Sequence, residues 1–138
     1  MFITDNSLIE LKVYWKKTGH RYDAFTESEF KKEKMTEEEK KKYIVLNFKA
    51  LELTWELNNQ IQEDATVENI AGNSKWSFKH YKESKLKRIL REWDAKDAKG
   101  NIVPVNERNV MHLVPAIAEA ILREYDEVSY LGEEEEKN

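Results

Sequence analysis

The sequence predicts an α+β fold, mainly α, in which a small N-terminal antiparallel β element (a hairpin plus a strand) precedes a bundle of about four helices. Three observations carry this. Leu11, Val13 and Trp15 alternate with Lys12 and Tyr14, the period of a half-buried strand. Leu86, Ile89, Leu90 and Trp93 recur at helical spacing, as do Ile117, Ile121, Tyr125 and Val128, so each set lines one face of a helix. Only 4 Gly and 2 Pro interrupt 138 residues, of which 36% are charged, and a sandwich or barrel needs more turn residues than that. This length suits one domain, with a β-containing part over 1–53, a helical part over 54–132 and an acidic flexible tail over 133–138.

In chain order, LIELKVYW over 8–15 reads as the first strand. Lys16 to Gly19 reads as a turn, and His20 to Phe25 as the returning strand. The charge run from Thr26 to Lys42 has only Phe30 and Met35 as apolar anchors. Thr36 with Glu39 matches a capping box there, so a short exposed helix or an ordered linker is expected. In YIVLNFKALEL, alternation of Ile44, Leu46 and Phe48 favours a strand, while Ala50, Leu51 and Glu52 keep a helix open as the alternative. Thr54 is suited to cap a helix over 55–65 in which Leu57 and Ile61 share a face. Ala71 to Ser74 breaks the chain before a basic helix. Asp97 to Asn101 reads as a turn into the extended Ile102–Val105, Asn106 as the cap of a short helix, and Pro115 as the start of a last helix ended by Gly132. His112, beside Met111 and Leu113, is expected to pack at the junction of those two helices.

The composition excludes several classes of function. A net charge of −4 and a pI near 5.5 give no overall drive towards nucleic acid or membrane. The absence of cysteine excludes disulfides, thiolate metal sites and a cysteine nucleophile, and it is compatible with a reducing compartment. The opening MFITDNSLIE lacks the cationic and apolar regions of a secretory signal, and apolar runs such as Tyr43–Leu46 are too short to span a bilayer. A soluble, cytoplasmic protein is expected. Asp94 to Asn106 fails as a calcium loop: with Gly100 in the glycine position, the ligand positions fall on Ala95, Lys99 and Asn106. No glycine-rich phosphate loop, paired-histidine motif or serine elbow appears, and His20, His80 and His112 are widely spaced. Neither a metal nor another cofactor is expected, and neither is an enzyme.

What remains is binding. Lys75 to Arg91 interleaves Trp76, Phe78 and Tyr81 with lysines, the nearest approach to a nucleic-acid-binding helix in the chain. The competing reading is an amphipathic helix with its apolar face inward and its lysines in water; the overall acidity favours it and makes nucleic acid the lesser expectation.

Leu90-x-x-Trp93, then Asp97-x-x-Gly100-x-x-Val103-Pro104-Val105, then the stretch from Leu113 to Tyr125, resembles small proteins from the tail modules of long-tailed bacteriophages. Phe48 to Glu56 is similar to the strand-to-helix entry of the same proteins, so the likeness spans roughly residues 45–130. The class it resembles most is the tail assembly chaperones. That resemblance implies a non-enzymatic protein that binds the tape-measure protein, the tail-tube protein or both during tail morphogenesis in the host cytoplasm. Such a helper needs exposed anchors on a charged body. The candidates are Trp55, Trp76, Phe78, Tyr81, Tyr125 and Tyr130, and self-association is compatible with them. A small nucleic-acid-binding or regulatory protein and a structural tail or baseplate component are the alternatives.

Overall fold

The computed structural model describes the backbone of residues 1–4 and 6–137, and side chains as far as residue 129. Its centre is a four-stranded antiparallel sheet built from β1 (Leu8–Thr18), β2 (Arg21–Thr26), β3 (Ile44–Leu51) and β6 (Leu90–Trp93), in the order β2-β1-β3-β6. A second, two-stranded sheet pairs β4 (Thr66–Glu68) with β5 (Ser74–Trp76). The helices are α1 (Glu27–Lys32), α2 (Glu37–Lys40), α3 (Trp55–Ala65), α4 (Phe78–Ile89), α5 (Glu107–Met111) and α6 (Pro115–Lys137).

The sheet's register follows from its alternation. Val13 stands opposite Leu46, Leu11 opposite Phe48 and Ile9 opposite Ala50 across β1 and β3, and Phe48 stands opposite Trp93 across β3 and β6. This row faces α3, α4 and α6, and with Leu57, Ile61, Leu86, Ile89, Ile117 and Ile121 it forms a single apolar core. A shift of one residue would turn the whole row to solvent, so burial pins the register. The hairpin turns at Gly19, whose φ of +63° is costly for a residue carrying a Cβ. Lys16 and Lys17 still belong to β1, so the turn comes later than the sequence predicts.

Among the described residues, no long helix lies on the outer face of the sheet. Near β2 it carries an aromatic cluster in which Phe30 stacks on Tyr14 at 4.1 Å, with Phe25 and Tyr43 closing the group. Further along, Lys49 bridges Glu10 and Glu92, and Lys12 pairs with Glu27 around a shallow groove of about 550 Å³. Four acids (Glu10, Glu27, Glu92 and Asp94) and two lysines line this groove, which is a solvated face of an antiparallel sheet with an acidic balance.

The expectation of a mainly α fold with a four-helix bundle is overturned. About 41% of the chain is helical and 29% is strand, and the long helices pack on a sheet instead of on one another alone. The decisive segment is Leu90–Trp93. Its apolar residues continue the helical spacing of Leu86 and Ile89, yet the chain turns extended at Leu90 and joins β3. Both placements bury Leu90 and Trp93, so spacing alone does not separate them. The sheet supplies ladder hydrogen bonds, and a bulge at Lys49/Ala50 accommodates the entry. The Trp93 indole N–H then donates to the Val103 carbonyl at 2.6 Å, fixing the strand to the connection that follows. The strand alternative for residues 44–51 also wins, because β1 offers a matching apolar row.

In the charge run there are two short helices. Thr36 caps α2 by accepting from the Glu39 N–H, but the reciprocal capping box lies at Thr26 and Glu29, ahead of α1. The bounds of α6 pass Gly132, where the sequence predicts an end. The side chains of residues 130–138, and with them the expected acidic tail, lie outside the described residues. No helix among the described residues is long and apolar enough to cross a membrane.

A candidate protein-binding surface at the start of α4

Thr54 caps α3 by accepting from the Leu57 N–H at 3.0 Å, which directs Leu57 and Ile61 into the core and leaves Trp55, in the first turn, 82% exposed. At the other end of α3 the chain leaves through the β4–β5 hairpin and returns as α4. The Ser77 N–H donates to the Ala65 carbonyl at 2.6 Å, and the Ser77 hydroxyl accepts from the His80 N–H and meets His80 Nδ1 at 2.7 Å. The tautomer of His80 sets the direction of that last bond. The Trp76 indole donates to Gln62 Oε1 at 3.0 Å, so its ring is held at the surface by a bond to α3. Pinning β5 and the first turn of α4 this way places three rings together. Trp76 lies 5.9 Å from Phe78 and 5.3 Å from Tyr81, and Phe78 lies 6.3 Å from Tyr81.

Of the six residues that the sequence nominates, the fold brings together Trp76, Phe78 and Tyr81. Phe78 is 59% and Trp76 46% exposed, while Tyr81 packs partly against the core. Trp55 is exposed but stands at the far end of α3, roughly 15 Å of helix away. Tyr125 is withdrawn from the surface: it is fully buried, and its hydroxyl donates to the Leu51 carbonyl at 2.8 Å. The spacing that puts it on the apolar stripe of α6 is the reason it is core. The side chain of Tyr130 lies outside the described residues. Two exposed apolar residues near this region are not apparent from the sequence reading. Ile70 projects at the turn between β4 and β5, and Met111 ends α5 at 44% exposure. An isoleucine flanked by turn formers is the one signal for the first; the second has none. His112 is also exposed, its Nδ1 at 2.7 Å from the Arg108 carbonyl, and is not packed at a helix junction.

The charges of α4 are largely used inside the fold. Lys82 pairs with Glu119, Lys85 with Asp126, Lys87 with Glu107 and Arg88 with Asp64. Lys85 is buried. Its ammonium meets Asp126 at 2.6 Å and the Tyr81 hydroxyl at 3.0 Å, over the rings of Tyr81 and Tyr125. Burial alone lowers a lysine pKa, but here the hydrogen bonds to Asp126 and Tyr81 outweigh it and raise the value, so Lys85 remains a cation and not a nucleophile. Hydrogen bonds from Arg88 and Ser84 hold Asp64 below its ordinary value. Among the described residues Lys75 and Lys79 enter no ion pair. They flank the exposed rings of Trp76 and Phe78 in the sequence. Both are solvent-facing.

Beside Phe78 runs a small groove of about 270 Å³ between α4, α5 and α6. Leu86, Val110 and Leu122 form its floor, and Met111 and Leu113 form one wall. Lys82 links ring and groove: it lies 4.8 Å over the Phe78 ring and lines the groove with Lys79. Among the described residues no group of three or more His, Asp or Glu can hold a metal ion. The arrangement offers apolar and aromatic contact area, with Lys79, Lys82, Glu83 and Glu119 along the groove.

No protein-family model, curated protein sequence or solved structure matches the chain.

Proposed function

We propose that the chain is a non-enzymatic helper of phage tail assembly, of the chaperone class, that binds tape-measure protein, tail-tube protein or both. The reading rests on one structural observation, together with the sequence resemblance over residues 45–130. Two large aromatic side chains, Trp76 at the end of β5 and Phe78 at the start of α4, stand side by side and exposed, whereas Leu86 and Ile89 further along α4 are buried. Such exposed anchors on a highly charged body suit a protein that covers the apolar surface of another. The internal pairing of Lys82, Lys85, Lys87 and Arg88 leaves α4 with little free charge for a phosphate backbone.

The test is coexpression with the tape-measure and tube proteins of the same genome. The expected result is a soluble complex with one of them that a Trp76→Ser/Phe78→Ser variant, folded by circular dichroism, fails to form. Presence of the chain in purified particles would place it among structural tail or baseplate components. Salt-sensitive retention on DNA or RNA would favour the nucleic-acid reading.

A further inference from the structure

We infer that residues 27–42 form a strap over the β2 edge of the sheet and the aromatic face beside it, that this strap opens locally while the core stays folded, and that the crowded carboxylates around Glu124 set how often it does so. The inference stands apart from the protein-binding reading above.

The strap is weakly rooted. Every residue from 27 to 42 keeps some exposure, and neither α1 nor α2 contributes a side chain to the core. Phe30 pegs the strap to the sheet: its ring lies 4.1 Å from that of Tyr14 and 5.3 Å from that of Tyr43, with the Lys40 ammonium 5.6 Å away. A segment with so little buried apolar surface belongs to the low-stability end of a fold. What it covers is an edge. β2 is an outermost strand; its Ala24 carbonyl accepts from Arg123 at 3.4 Å, and its Thr26 N–H donates to Glu29 at 2.9 Å. The Arg123–Glu29 ion pair, at 3.0 Å, thus closes two backbone groups that an added strand would otherwise use. Opening frees those groups and uncovers Tyr14, Phe25 and Tyr43.

The root of the strap is where carboxylates crowd. Glu27 and Glu29 of α1 meet Glu124 and Glu127 of α6. Arg123 of α6 pairs with Glu29, and Lys12 of β1 and Lys31 of α1 pair with Glu27. Glu124 is 4% exposed and enters no ion pair among the described residues. Closing the strap therefore buries an ionised carboxylate among like charges, and opening returns it to water. Burial, with repulsion from its neighbours, holds the Glu124 pKa above the ordinary 4.5, so the closed form gains as pH falls towards that value. Burial also pushes Glu29 up, but Arg123 and the Thr26 N–H outweigh it, so this tie loosens only at lower pH. The strap is tightest in mildly acidic solution.

Native-state amide exchange on the full chain tests this, with rates corrected for the intrinsic effects of sequence and pH. In urea below the unfolding transition, the hydrogen-bonded amides of Glu33, Lys40 and Lys41 are expected to exchange at least about a hundredfold faster than those of β1 and β3. Their rates are expected to depend little on urea, while the core amides follow global unfolding. At pH 7.5, Glu124→Gln is expected to slow the strap amides about tenfold, and bringing the natural protein from pH 7.5 to about pH 5 to slow them as well. Phe30→Ala is expected to speed them about tenfold. The urea series and the pH comparison use the natural protein, so neither depends on a variant that folds. Strap amides that share the urea dependence of β1 and β3 overturn the inference, because the segment then opens only with the core. Strap exchange that ignores both Glu124→Gln and pH overturns the part assigned to Glu124.

Discussion

Glu124 holds its carboxylate almost wholly out of water between α6 and the start of α1, where Glu27, Glu29 and Glu127 converge as well. Its neighbours are largely satisfied. Glu29 is held by Arg123 at 3.0 Å, and Glu127 accepts from Thr26 and from Ser28 at 2.7 Å. Among the described residues Glu124 has a single 3.3 Å bond, from the Glu27 N–H, to set against burial, so burial raises its pKa above the ordinary 4.5 and repulsion from Glu127, Glu27 and Glu29 adds to the rise. An acid whose folded pKa is raised weakens folding wherever it is ionised. The native state gains stability as pH falls through the folded pKa, until the unfolded chain also takes up the proton near its ordinary value.

Glu124→Gln removes the charge and keeps the acceptor for Glu27, at nearly equal helix propensity. At pH 7.5 the variant is expected to be more stable by about 1–2 kcal/mol, the scale of an incompletely compensated buried polar group. With a urea m-value of about 2 kcal/mol/M for a chain of this size, the unfolding midpoint rises by about 0.5–1 M. The gap closes on acidification and is gone by about pH 4, where both states of the natural protein carry the proton. Urea titrations followed by circular dichroism across this range check it. A glutamine variant that is less stable at pH 7.5, or a gap that does not change with pH, refutes the account of the acidic junction.

Four further substitutions probe the rest of the fold. Trp93→Phe removes the indole bond to Val103 and part of a buried ring, and is expected to cost about 2 kcal/mol; a loss of less than about 0.5 kcal/mol in chemical unfolding would contradict the β6 assignment. Ile121→Ala in the core of α6 is expected to cost about 2–4 kcal/mol, whereas Trp55→Ala stays within about 0.5 kcal/mol, and similar losses for the two would show that burial is misplaced. On the acid side, burial pushes Glu29 up, but the Arg123 guanidinium and the Thr26 N–H outweigh it, and Arg88 holds Asp64 down. Stability from these two pairs is present at neutral pH and is lost as pH falls through their depressed values. Arg123→Gln is therefore expected to flatten the acid limb of the stability curve, and an unchanged limb would remove Glu29 from it.

Much of this fold is legible where one local rule acts alone. Leu11, Val13 and Trp15 admit only a strand, Thr54 and Asn106 sit where caps are needed, and Pro115 can only begin a helix. Legibility fails where two structures satisfy the same pattern. Leu86, Ile89, Leu90 and Trp93 suit a long helix as well as a helix that hands over to a strand, and the choice depends on β3, which is 40 residues or so away in sequence. The β4–β5 hairpin is short and polar, with no alternation to announce it. The site shows the same division. Trp76, Phe78 and Tyr81 are visible as neighbours within six residues of sequence, but Tyr125 belongs to a stripe that the sequence assigns to packing, and packing takes it. The pairing of α4's cations with Asp64, Glu107, Glu119 and Asp126 depends on long-range contacts that no local pattern encodes.

The central claim is that this chain works by holding a partner on the face formed by Trp76, Phe78 and the groove at Met111. Amide hydrogen exchange on the complex with the tape-measure or tube protein reads that face directly. Slowed exchange is predicted over residues 75–83 and 108–113, with little change in β1 and β3. Protection confined to the outer sheet face around Lys12, Asn47 and Lys49, with the start of α4 exchanging as in the free protein, would contradict it.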